Sequence, residues 1–124
     1  MKLARITDKR FRDVLKKLSE QKLPLKAAFK LKGIAKKVND EFTKYDELRL
    51  ESVKKFAEKD DAGNLILDDK GNAKFSNDGM LDFVKQLDEL LSIDIEILPL
   101  SIDELGSELN ITADELMILE DVIV

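Results

Sequence analysis

The longest unbroken pattern in the chain lies over residues 24–59. Leu31, Ala35, Val38, Phe42, Tyr45, Val53 and Phe56 recur at spacings near three and four or their multiples, with Ile34 and Leu48 beside them. That rhythm matches the 3.6-residue period of an α-helix and predicts one helix over 24–59. At about 1.5 Å per residue it would run roughly 50 Å. Pro24 suits its first turn, where a missing N–H costs nothing, and Gly33 marks either a bend or a close approach by a neighbour. Upstream, Phe11, Val14, Leu15 and Leu18 at i, i+3, i+4 and i+7 predict a helix over 8–20, with Thr7 as its N-cap and Asp8 in the first turn. Downstream, Met80, Phe83, Val84, Leu87, Leu90 and Leu91 predict a helix over 78–92, capped by Ser76 or Asn77. Two capping boxes, Ser101 with Glu104 and Thr112 with Glu115, predict short helices within 101–122.

Alternation of period two is confined to shorter stretches. Ile93, Ile95 and Ile97 alternate with Asp94 and Glu96, which predicts a strand over 93–98. The segment KLARI at 2–6 is its expected partner, bringing Lys2 and Arg5 near Asp94 and Glu96. Residues 64–76 read as a small β-hairpin with Lys70, Gly71 and Asn72 near its tip. The expected fold is therefore a single α+β domain over 1–124, mainly α. A long antiparallel helical hairpin is joined by an N-terminal amphipathic helix, a small β element and short C-terminal helices. The apolar VIV at 122–124 is expected to dock on the core rather than to serve as a sticky peptide. No repeat with a period of 20–50 residues is evident.

Charge adds an asymmetry to this picture. The net charge is −5. Residues 1–37 hold 13 Lys/Arg against three acids, a balance of +10, while residues 78–124 hold 13 acids against Lys85 alone, a balance of −12. Either the two ends pack together and neutralise one another, or they form a polar surface suited to charged partners, head-to-tail self-association included. The basic face of helix 8–20 reads as solvated. It has no aromatic interleaved to stack on bases, and a pI of about 4.9 runs against a nucleic-acid footprint. No run of 18 apolar residues spans a membrane, and the start of the chain lacks the apolar core of a signal peptide.

The chemistry available is narrow. There is no histidine and no cysteine, so the usual nucleophile–base pairs are missing. The acidic and amide cluster over 60–72 lacks the spacing of a calcium loop. Nothing in the pattern buries one carboxylate against another for acid–base work. A non-catalytic protein with no cofactor and no metal is expected.

Four stretches carry a resemblance: LPLKAAFKLKGIAKKVNDEF, YDELRLESVKKFAEKDDAGNLI, DFVKQLDELLSIDIEILPLSIDEL and ITADELMILEDVIV. Together, over about residues 23–122, they resemble small helical proteins of tailed bacteriophages and prophages. The resemblance implies a phage-encoded, non-catalytic helical protein acting in the bacterial host cytoplasm or in the virion. It carries no site residues with it. From the apolar pattern, the residues expected to bind protein, another copy of the chain included, are Phe42, Tyr45, Phe56, Phe83 and Leu87. The second reading is an inhibitor of a host or defence protein, using an acidic face with Asp94, Glu96, Asp103 and Glu104.

Overall fold

The computed structural model describes all of residues 1–124 and is mainly helical. In chain order it contains α1 (Leu3–Ile6), α2 (Lys9–Ser19), α3 (Leu25–Phe56), α4 (Asn77–Leu91), a 3₁₀ turn (Ile102–Leu105) and α5 (Ala113–Ile118). Its contacts group into two compact units, Met1–Phe42 with Asp94–Val124, and Thr43–Ile93. The sequence reading of 1–124 as one domain does not anticipate that grouping. No helix is long and apolar enough to cross a membrane.

The first unit is built on amphipathic spacing. Phe11, Leu15 and Leu18 of α2 are buried, as are Ala27, Leu31, Ile34 and Val38 of α3. Full burial of a Leu or Phe side chain is worth about 1.5–3 kcal/mol, so these two stripes are the main source of its stability. Leu100, Leu105, Leu119, Val122 and Ile123 complete the core from the other end of the chain. Ile123 forms a parallel bridge with Leu100, the Leu100 N–H donating to the Val122 carbonyl at 2.8 Å. The VIV segment thus docks through Val122 and Ile123, leaving Val124 exposed.

Four ion pairs of this unit bear on the charge asymmetry. Lys2 pairs with Asp94 at 3.1 Å, Arg5 with Asp121 at 2.9 Å, Lys17 with Glu115 at 2.8 Å and Lys30 with Glu104 at 2.6 Å. Each pair joins the basic end of the sequence to the acidic end. These pairs neutralise the two ends in part; Lys22, Lys26 and Lys32 and the acids of α4 enter none of them.

Two strand expectations fail. KLARI forms the helical turn α1, not a strand, because Leu3 and Ile6 are buried together at a helical i, i+3 spacing. Residues 93–98 form no strand either. One antiparallel bridge, Lys2 to Asp94, is all that pairs there, and of the three isoleucines Ile95 alone is buried. Arg5 accordingly reaches Asp121 and the Ile118 carbonyl rather than Glu96. The caps move by one residue at α2, where Asp8 is the N-cap, accepting from the Arg10 N–H, and Thr7 closes α1. Both capping boxes form as read.

The second unit contains the last turns of α3, a looped segment and α4. α3 stops at Phe56, three residues before the expected end, because residues 58–74 enter a different hydrogen-bonding scheme. Of the hairpin expected over 64–76 a single antiparallel bridge forms, Leu67 to Ala73, and a matching one, Lys59 to Leu65, precedes it; each encloses a turn. Asp60 and Asp68 each accept two backbone N–H groups on one carboxylate oxygen, from Ala62 and Asn64, and from Lys70 and Asn72. Gly63 and Gly71 close the turns with φ of 84° and 80°, a left-handed region that glycine enters without penalty. The three segments flanking the turns then close a ring. The Ile66 N–H donates to Glu58, Lys74 to Ile66, and Glu58 to Lys74, at 2.8–3.0 Å.

Candidate interaction surfaces

The hydrogen-bond ring exposes an eight-residue repeat: EKDDAGNL, ILDDKGNA and KFSNDGML, over 58–65, 66–73 and 74–81. In the third copy Ser76 replaces the aspartate and accepts from the Gly79 N–H, becoming the N-cap of α4. A Cβ on Gly79 would lie 2.6 Å from the Phe56 carbonyl oxygen, so the start of α4 tolerates only glycine against the end of α3. This repeat places α4 after α3, and it is shorter than the periods that mark solenoid repeats.

The aromatic residues singled out in the sequence occupy half-buried positions. Phe83 packs against Phe75 with ring centroids 5.0 Å apart. The Lys55 ammonium lies over the Phe56 ring at 5.1 Å. Burial raises the Tyr45 hydroxyl above its usual value, with Arg49 opposing. Leu87 is half-buried on α4. Phe42 belongs to the first unit, where the Arg12 guanidinium covers its ring at 3.8 Å, an attraction typical of cation–π pairs. Phe83, Phe56, Tyr45 and Leu87 thus share the second unit, and Phe42 does not.

The four acids of the second reading are spread within the first unit. Asp94 holds Lys2, and Glu104 holds Lys30 while closing its capping box on the Ser101 N–H. Those hydrogen bonds, Lys30 first, keep the Glu104 carboxyl below its ordinary value. Lys17 and Thr112 do the same to Glu115. Asp103 is exposed in the 3₁₀ turn, and Glu96 lies on the rim of a groove. No three carboxylates converge in a way that could hold a metal ion.

Two grooves stand out. One, in the second unit, is lined by Leu48, Ser52 and Lys55 of α3 and by Gln86, Leu90 and Ile93 around α4. The other, in the first unit, measures about 360 Å³ and has a floor of Gly33, Ile34, Ile97, Leu98 and Pro99, with Lys30, Lys37 and Glu96 at its rim. Gly33 has no neighbour within 4 Å of a Cβ placed on it, and its φ is not positive. A glycine inside a helix costs about 1 kcal/mol relative to alanine, and nothing within the chain explains this one.

Sequence reasoning missed the most exposed apolar side chains. Leu25 and Phe29 are 87% and 79% exposed. They sit two residues off the buried line of Ala27, Leu31, Ile34 and Val38, and so about 200° around the helix. That offset was the available signal. Compared with protein-family models, curated proteins and solved structures, the chain matches none.

Proposed function

We propose that this chain is a non-catalytic protein-binding module that associates with copies of itself, a structural or assembly component of the kind tailed bacteriophages encode. One observation carries the reading: the second unit buries a single hydrophobic side chain, Ala57, while Leu48, Leu50, Leu67, Met80, Leu81, Val84 and Ile93 stay exposed. A unit that encloses so few of its own apolar side chains is poorly stabilised alone, and small units commonly gain the missing burial from another chain. The reading treats the second half of α3 and α4 as an antiparallel helical pair within an α+β domain. The groove between Leu48–Ser52–Lys55 and Gln86–Leu90–Ile93 supports that arrangement. The setting it implies is the host cytoplasm or the virion.

The alternative, an inhibitor presenting an acidic face, has less to stand on, because Asp94 and Glu104 are engaged with Lys2 and Lys30. Light scattering behind a sizing column tests the first reading. A mass above the 14.1 kDa chain that persists in high salt is expected. A monomer at every concentration would overturn it.

A further inference from the structure

The strongest unexplained surface in the first unit is the outer side of α3's early turns. Leu25, Phe29 and Gly33 follow one another at i, i+4 and i+8, a single stripe. Residues 21–39 carry six lysines and no acid. Lys30, Lys36 and Lys37 are paired with Glu104, Asp40 and Glu41. Lys22, Lys26 and Lys32 enter no ion pair of the chain. Gly33 bares the helix backbone at the floor of the groove edged by Leu98, which is itself 81% exposed. A bare glycine with open space beside it lets another helix approach closely.

α4 has the opposite character. It buries no residue. Leu81, Val84 and Met80 are 69%, 44% and 43% exposed. Its acids Asp78, Asp82, Asp88 and Glu89 stand against Lys85 alone, and none of them enters an ion pair. Leu81 and Val84 lie at i and i+3, the spacing with which a helix lays an apolar edge into a groove, and Asp88 continues that edge with a charge.

We propose that the basic, apolar face of α3 at Leu25, Phe29 and Gly33 is the socket for α4 of a second copy, Leu81 and Val84 entering beside Gly33 while Asp78 and Asp82 meet Lys26 and Lys32. This rests on the self-association reading and specifies its geometry. Each copy offers one socket and one helix, so the contact either closes, as a reciprocal dimer or a ring, or runs on as a filament. Complementary charge across the contact sets its orientation and makes its formation rate sensitive to salt.

The experiment uses two full-length variants, Phe29→Glu and Leu81→Lys, each at an exposed position and each placing a like charge against the opposing face. Either variant alone is expected to scatter as the 14.1 kDa monomer. An equimolar mixture is expected to associate again, because one intact socket and one intact helix remain. Gly33→Ala supplies an independent reading: it should raise the thermal midpoint of the chain yet weaken association by roughly tenfold or more. If wild type associates but either charge variant associates equally well, or the mixture stays monomeric, the socket is wrong while self-association stands. If Gly33→Ala leaves association unchanged, the glycine is no part of the contact and the socket geometry falls. If wild type is monomeric throughout, both readings fall.

Discussion

Residues 1–42 with 94–124 bury fifteen hydrophobic side chains, from Leu3 to Ile123, whereas residues 43–93 bury Ala57 alone. The contrast is not one of composition, since the second unit has Phe56, Phe75, Phe83 and a leucine-rich α4 of its own. It lies in what each segment has to pack against. In the first unit α2, α3 and the C-terminal segments contribute apolar stripes to one core. The second unit has two helices' worth of apolar surface and a loop, too few layers to enclose a side chain on all sides. It is held by local devices instead: aspartate-capped turns, a glycine fitted against a carbonyl, and a serine cap. Regions of that kind open at low free energy and gain most from a second chain.

Substitutions can break or sharpen this contrast. The largest effect is expected in the first core. Phe11→Ala, at a fully buried site, should cost about 3–5 kcal/mol, read as the shift in a urea unfolding curve. Leu87→Ala, half-buried on α4, should cost about 1 kcal/mol. Similar losses at the two positions would show that the second unit holds a core as firm as the first.

Next come the turns. Gly63→Ala and Gly71→Ala force a left-handed backbone on alanine, at about 1–2 kcal/mol each. Hydrogen exchange should show the loss in the ring amides of Glu58, Ile66 and Lys74, with α2 unchanged. A loss spread evenly over both units would contradict the division.

The smallest effect is that of pH. Glu104 and Glu115 are held below the ordinary value of 4.5 by their lysine partners, Lys30 and Lys17, and by backbone N–H groups. A carboxyl depressed in the folded state contributes stability above its ordinary value, and that contribution is lost as pH falls through the folded value. The unfolding midpoint of the first unit should therefore be flat above pH 4.5 and decline below it. Both residues should titrate below 4.5 in carbon-detected NMR.

How far the sequence spoke depends on the same contrast. α2, α3 and α4 were legible because each repeats its apolar residues over several turns, and both capping boxes because their spacing has few other uses. The alternation of Ile93, Ile95 and Ile97 misled because a strand requires a partner. Lys2 offers a single bridge before Leu3 and Ile6 turn into the core as a helix. Leu25 and Phe29 are hidden from the apolar rhythm because they lie off the buried line of α3. The octad repeat is masked because its third copy runs into α4. Of the candidate residues, Phe56, Tyr45, Phe83 and Leu87 fall in the poorly enclosed unit, while Phe42 turned out to lie beneath Arg12, a pairing no spacing rule foretells.

The core of the first unit also has a consequence for synthesis. Lys17 meets Glu115 across a sequence separation of 98 residues. At about 5–20 residues per second on the ribosome, α2 emerges on the order of 5–20 s before the α5 segment that covers it. During that interval Phe11, Leu15 and Leu18 lack part of their cover and form a sticky stripe flanked by lysines. The acidic segment around α5 then arrives as both apolar lid and counter-charge, so that α2 depends on residues made about a hundred positions later to become inert.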